Sequence, residues 1–347
     1  MKIIHIHPSL SMALKFVAPL IDYERSLGYQ SQLIVYKSEK ENQSQLCFDL
    51  RVNNLNLLIE IIRFTVFLRN YKPDIIFCHN STQATIPLFF SKLIKIQTII
   101  YFNHGVPYLG YKGVLRKILY FIEYLNSTLS HKTITVSPDM KKYLDNIKPN
   151  TYLIYNGSAC GIILPKKSSQ KQSHKSKTFV VTFVGRLKLR KGIRQLTEIL
   201  DFFEKNRMIK FIFCGFSNDE FYKFTKRKFK NLECLGFIDN VNEILAESDI
   251  FLLPSNHEGL PYSILEAMLN KNFIIANNIP GINNIVRNNY NGVLINNNDS
   301  KKFIRVISNF INNKIDCEKY VNNSLKTIRK YDRNKFLKEY SKFISNL

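Results

Sequence analysis

The chain has 347 residues, 45% of them hydrophobic and 22% charged, which is enough to bury two ordinary cores and unlike a disordered polymer or a disulfide-stapled miniprotein. Its formal net charge of +23 admits nucleic acid, an anionic membrane surface or a phosphorylated ligand as partner. Lys and Arg are spread along the whole chain, with no helix-turn-helix, zinc finger or aromatic-interleaved RNA motif to focus them. A membrane surface or a phosphate group is therefore expected and nucleic acid is not, while a solvated Lys- and Asn-rich surface accounts for part of the excess.

In chain order, MKIIHIHPSL reads as a first strand rather than a signal peptide. The stretch around Leu14 to Leu27, then SQLIVY, the stretch from Asn53 to Asn70, and DIIFCH continue an alternation of short apolar runs and longer amphipathic segments. LNLLIEIIRFTVFL is broken by Glu60 and Arg63 and is too short to cross a bilayer. TIIYFN, KTITVS and TYLIY complete a first α/β series. Between Pro165 and Thr178, KKSSQKQSHKSK has no apolar residue and reads as a linker or exposed loop. The alternation restarts with TFVVTFVG, MIKFIFCG, NLECLGF, DIFLLPS, NFIIAN and GVLIN, and Asp316 to Leu347 reads as helical. Such alternation predicts βαβ units on parallel sheets. The expected organisation is a first Rossmann-like domain at 1–165, a linker at 166–177, a second Rossmann-like domain at 178–330 and a C-terminal helix at 331–347 that crosses back to the first. The six cysteines, Cys47, Cys78, Cys160, Cys214, Cys234 and Cys317, contain no CxxC pair, so reduced thiols in a cytoplasmic protein are expected.

In open parallel sheets, ligands collect beyond the C-terminal ends of strands. After TFVVTFV come Gly185, Arg186, Lys191 and Gly192; glycines there let the backbone approach a ligand, and the two cations can neutralise a diphosphate. An ordinary basic turn would contain the same residues. After DIFLLPS comes SNHEGLPYSILEAM, in which Pro261 suits a first helical turn and the helix start offers amides and a positive dipole to a phosphate. Glu266 falls about one turn inside that helix, where a carboxylate can accept from ribose hydroxyls, and Glu258 stays in the loop. Either glutamate alone could simply stabilise the helix dipole.

Together, GRLKLRKG, PSNHEG, EGLPYSILEAM, LGFIDNVNEILAESDIFLLP and NNIPGINNIVRNNYNGVLI, in this order and spacing over Thr178 to Asn296, resemble the retaining glycosyltransferases of family 4, which have the GT-B fold. The resemblance implies a nucleotide-diphosphate sugar as donor, with Arg186 and Lys191 on the diphosphate, Glu266 on the ribose and Glu258 at the donor sugar. It also implies backbone amides from the loop between Glu258 and Tyr262, with Gly259, Leu260 and Pro261 in it, and a base bordered by the turns after Cys214 and Leu235, at Gly215 and Phe237, with Gly185 also at the donor. In the first half, YFNHGVPYLG is similar to the family segment that brings a histidine, here His104, to the donor sugar. Departures are Ile162 and Ile163 after IYNGSACG, where the family has an acidic residue, and HPSLSMALK in place of a double-glycine loop. Ser9, Ser11 and Lys15 are there further candidates for donor or acceptor contacts.

The implied reaction is sugar transfer with retention, with His104, Glu258, Arg186 and Lys191 as catalytic residues. The chain has no Asp-x-Asp triplet, so no metal and no cofactor are expected. YLGYKGVLRKILYFIEYL mixes Lys112, Arg116 and Lys117 with apolar residues, which suits an anionic membrane surface and a lipid-linked acceptor of surface polysaccharide synthesis, or equally a core helix with a basic edge. A saccharide acceptor, a sugar-nucleotide epimerase of the same fold and a non-catalytic nucleic-acid-binding protein remain as alternatives.

Overall fold

A computed structural model describes residues 1–36, 46–165 and 178–347; the expected linker at 166–177 lies outside the described residues. The chain divides into two units: Met1–Gly161 with Arg333–Leu347, and Ile162–Asp332. The changeovers thus fall at 161/162 and 332/333, where the sequence reading placed 165 and 330.

The first unit is built on strands β1 (Lys2–His7), β2 (Gln30–Val35), β3 (Leu46–Cys47), β4 (Ile75–His79), β5 (Thr98–Asn103), β6 (Lys132–Thr135) and β7 (Thr151–Leu153) in the order β3-β2-β1-β4-β5-β6-β7. All of its pairings are parallel. Helices α1 (Leu10–Phe16), α2 (Ala18–Ser26), α3 (Leu57–Tyr71), α4 (Thr85–Leu93), α5 (Gly113–Leu129) and α6 (Pro138–Asp145) make the crossovers. Central strands covered on both faces read as unbroken apolar runs, as in Ile75–Cys78, where every side chain is buried. Ser137 starts α6 by accepting from the Met140 amide, with Pro138 in the first turn.

The second unit repeats the plan with β8 (Phe179–Val184), β9 (Ile209–Cys214), β10 (Phe216–Ser217), β11 (Leu232–Gly236), β12 (Ile250–Leu253), β13 (Phe273–Asn277) and β14 (Val293–Ile295), ordered β10-β11-β9-β8-β12-β13-β14. Among the described residues of this unit, only the short β10 runs antiparallel, against β11. Its helices are α7 (Ile193–Phe203), α8 (Asn218–Thr225), α9 (Val241–Ala246), α10 (Tyr262–Leu269), α11 (Ser300–Ile311) and α12 (Cys317–Ile328). Helix α7 buries Ile193, Leu196, Ile199, Leu200 and Phe203, a stripe at helical spacing in which each side chain stabilises by about 1.5–3 kcal/mol. In both sheets the chain runs outward in both directions from a central strand, so the loops at the C-terminal ends of β1, β4 and β5, and of β8, β9 and β12, stand at the ligand-binding edge.

The last helix, α13 (Arg333–Ser345), belongs to the first unit. It buries Phe336, Leu337, Tyr340 and Ile344 and lies against α2. The six cysteines are all free thiols.

Candidate active site

In the second unit, glycine fixes where the loops run. The Gly185 amide donates to the Cys214 carbonyl at 2.9 Å. Gly215 has φ +114°, and a Cβ there would lie 2.2 Å from the Gly185 carbonyl oxygen, so the turns after β8 and β9 touch along their backbones. The Gly215 amide in turn reaches the Gly236 carbonyl at 2.6 Å, next to Phe237, which is exposed. At the far end of GRLKLRKG, Gly192 has φ +77°, and a Cβ would come 2.0 Å from the Pro254 carbonyl oxygen. No side chain fits there, and an L-residue would also be strained.

This docking brings the two candidate loops together. The Asn256 amide donates to the Arg190 carbonyl at 2.7 Å, and Lys191 Nζ lies 2.5 Å from Glu258 Oε1. Lys191 and Glu258, assigned from the resemblance to the diphosphate and the sugar, are thus paired with each other. Burial opposes ionisation of Glu258, but the adjacent Lys191 ammonium, its hydrogen bond and the nearby Arg190 outweigh it and hold the carboxyl below the usual range. Gly281, at φ +85°, lies under the same loop, where a Cβ would meet the Glu258 and Gly259 carbonyls.

Arg186 is exposed at this edge. Gly259, Leu260 and Pro261 are buried and Tyr262 is half-buried. Pro261 occupies the cap position before α10 rather than its first turn. Glu266 sits within α10 and is buried. Two asparagines that the sequence reading did not single out hold the PSNHEG loop. Asn277 Nδ2 donates to the Ser255 carbonyl at 3.0 Å, and Asn298 Nδ2 donates to the Pro254 carbonyl and to Asn256 Oδ1, each at 2.8 Å.

In the first unit, His104 follows β5. The Gly105 amide donates to Asn103 Oδ1 at 2.8 Å, while Asn103 Nδ2 donates to Glu123 Oε2 at 3.1 Å. Tyr101 and Ser81 also donate to the Glu123 carboxyl. Burial pushes that carboxyl up to about 7 despite these hydrogen bonds. His104 is half-buried and stacked on Phe102 with centroids 4.9 Å apart. Burial, with His7 beside it, pushes His104 down to about 3, so its ring is neutral near pH 7. Its Nε2 lies 3.0 Å from His79 Nδ1. Ser9 precedes α1, with its hydroxyl 3.2 Å from that of Ser11, and Lys15 is exposed on the same helix. Among the described residues, no group of three or more His, Cys, Asp or Glu side chains is arranged to hold a metal ion.

Residues 166–327 match the model of the Glycosyl transferases group 1 family, and residues 16–158 match that of Glycosyltransferase Family 4. The chain belongs to these glycosyltransferases. It is 26% identical over 312 residues to an Escherichia coli UDP-Gal:alpha-D-GlcNAc-diphosphoundecaprenol alpha-1,3-galactosyltransferase, covering 82% of this chain and 79% of that one. It is 24% identical over 261 residues to a Campylobacter jejuni N,N'-diacetylbacillosaminyl-diphospho-undecaprenol alpha-1,3-N-acetylgalactosaminyltransferase, covering 69% and 68%. Among solved structures it resembles the Anabaena protein HepE in complex with UDP and glucose, with a TM-score of 0.79, 16% identity and full coverage of both chains. The fold of this glycosyltransferase is GT-B, with two α/β sheets.

Proposed function

We propose that this glycosyltransferase moves a sugar from a nucleotide-diphosphate sugar to a lipid-linked acceptor in surface polysaccharide synthesis, with retention and without a metal ion. The observation that carries the reading is the docking of the 185–192 and 254–261 loops, which brings Lys191 and Glu258 into contact; the first of these loops also carries the exposed Arg186. Departure of the nucleoside diphosphate leaves negative charge on the pyrophosphate and oxocarbenium character on the sugar, so cations held in advance near the phosphates lower the barrier. Glu258 positions the Lys191 ammonium before the donor arrives. A bound pyrophosphate then competes for that ammonium, which frees the Glu258 carboxylate toward the sugar. Glu266 accepts from the ribose, Gly215 and Phe237 border the base, and His104 offers a hydrogen bond to a donor oxygen.

The lipid-linked acceptor rests on the relatives, whose names place sugars on diphosphoundecaprenol carriers. The reading of an anionic membrane surface as partner is supported by α5. Its Val114, Ile118 and Phe121 are 74%, 50% and 57% exposed, next to exposed Lys112, Arg116 and Lys117, an arrangement suited to shallow insertion beside anionic headgroups. No helix among the described residues is long and apolar enough to cross a membrane.

The test is a panel of nucleotide sugars offered with a diphosphoundecaprenyl-linked sugar in the presence of EDTA. Transfer with one donor, lost in Arg186→Ala and Glu266→Ala, is the expected result. Recovery only of an epimerised donor, or transfer that stops with EDTA, refutes the corresponding part of the reading.

A further inference from the structure

We propose that Tyr340, Glu24, His5, His79 and His104 form one directional hydrogen-bond wire in which a His5 imidazolium, held by Glu24, makes the outer Nδ1 of His104 a hydrogen-bond donor. The wire lies wholly within the first unit. The Tyr340 hydroxyl donates to Glu24 Oε1 at 2.5 Å. His5 Nε2 lies 3.0 and 3.2 Å from the two Glu24 oxygens, His5 Nδ1 lies 2.9 Å from His79 Nε2, and His79 Nδ1 lies 3.0 Å from His104 Nε2. His5, His79, Glu24 and Tyr340 are all essentially inaccessible to water, and His104 ends the wire at the half-buried loop after β5.

Each link constrains the next. An ionised carboxylate only accepts, so His5 Nε2 must hold a hydrogen. If His5 is neutral, its bare Nδ1 accepts from His79 Nε2–H, the bare His79 Nδ1 accepts from His104 Nε2–H, and the outer Nδ1 of His104 is an acceptor. If His5 carries a second proton, every link reverses: His5 Nδ1–H donates to His79, His79 Nδ1–H donates to His104, and the outer His104 nitrogen bears a hydrogen. A buried carboxylate without a cation is costly, and a tyrosine hydroxyl supplies none. His5, bridging both oxygens, is the group placed to supply it, and this selects the second state.

The surroundings leave the wire isolated. His5 stacks on Phe77, while His79 and His104 stack on Phe102. His7 is the other titratable ring nearby, with centroids 5.8 Å from His79 and 6.0 Å from His104, but its Nδ1 is engaged by the Ser9 backbone. Lys15 lies over the ring of Phe16, which is tilted against His104. His104 thus donates while remaining neutral, with the balancing charge two imidazoles behind it. Glu24, His5, His79 and Tyr340 are positioning residues in this scheme. Its use in transfer rests on the reading of His104 as a contact to the donor.

Selective ¹⁵N-labelling of histidine in the full chain reads each tautomer from the ring-nitrogen shifts, without substrate. In the wild type at pH 7.5, His79 and His104 are expected as Nδ1–H with bare Nε2. In Glu24→Gln, which keeps the acceptor but removes the charge, both are expected to reverse to Nε2–H, with kcat falling about tenfold at little change in donor KM, the loss of one hydrogen bond. A wild-type His104 already in the Nε2–H form, or the same tautomer in Glu24→Gln, overturns the proposal. If Glu24→Gln fails to fold, the wild-type spectrum alone still decides it. Correct tautomers together with unchanged turnover in His104→Ala would leave the wire standing and remove the donor contact instead.

Discussion

Replacing Glu123 by glutamine isolates a stability term whose pH dependence follows from the structure. The carboxyl is fully buried and raised from 4.5 to about 7 by burial. A folded-state value above the unfolded one means that the native protein binds the proton more tightly, so the contribution is complete below about pH 4.5 and is lost as pH rises through about 7. The whole shift corresponds to about 3 kcal/mol at 1.36 kcal/mol per unit, and the portion falling between pH 5 and pH 8 is about 2.5 kcal/mol by the same linkage. Glutamine cannot ionise and keeps one acceptor oxygen, which serves either Ser81 or the Tyr101 and Asn103 pair, a cost that is the same at both pH values and cancels in the comparison. Urea unfolding of wild type and Glu123→Gln at pH 5 and pH 8 should therefore show the variant gaining about 2 to 3 kcal/mol on the wild type across that interval. An identical pH dependence in the two proteins would refute the assignment of a raised carboxyl. Because Asn103 links Glu123 to the Gly105 amide, the same substitution tests whether the loop bearing His104 keeps its place in transfer.

Gly192→Ala should lower stability by about 2 kcal/mol or more, since the left-handed residue would press its Cβ on the Pro254 carbonyl; a melting temperature equal to that of wild type would contradict the loop geometry. Lys191→Met leaves the Glu258 carboxylate buried without its cation and should destabilise by about 3 kcal/mol, whereas Lys191→Met combined with Glu258→Leu should recover part of the loss. Equal additive losses in the double-mutant cycle would show that the pair is not coupled. For α5, Ile118→Asp with Phe121→Asp should abolish sedimentation with vesicles containing anionic lipid and leave the melting temperature within a few degrees, because both side chains are exposed; sedimentation unchanged by the pair, or equal on purely zwitterionic vesicles, would remove that surface.

The alternation of strands and helices was legible because strands covered on both faces must be apolar throughout and each helix must bury a stripe. The site loops were legible for a different reason. Gly192, Gly215 and Gly281 stand where backbones nearly touch at positive φ, and that demand leaves a trace in sequence. What stayed hidden depends on partners far away in the chain. Asn277 and Asn298 donate to carbonyls more than twenty residues away, and an asparagine at the end of a strand or just beyond it carries no mark of such a partner. The histidine wire needs the parallel register of β1 against β4, in which His5 lies opposite Phe77, and no local pattern states that register. The residues of β3 and β10 are too few to show a period. Glu123 lies on a helix read for its basic and apolar residues, while its own face is the buried one. The pairing of Lys191 with Glu258 joins two motifs that sequence could place on one edge but not in contact.

The central claim is that the second unit grips a pyrophosphate, and it is tested most directly by calorimetric titration of wild type and Arg186→Ala with a nucleoside monophosphate and the matching diphosphate. Wild type should bind the diphosphate about 10- to 100-fold more tightly, as one or two charge-assisted hydrogen bonds allow, and Arg186→Ala should lose most of that increment while keeping its affinity for the monophosphate. Equal affinity of the wild type for both nucleotides, or an increment untouched by the substitution, would contradict it.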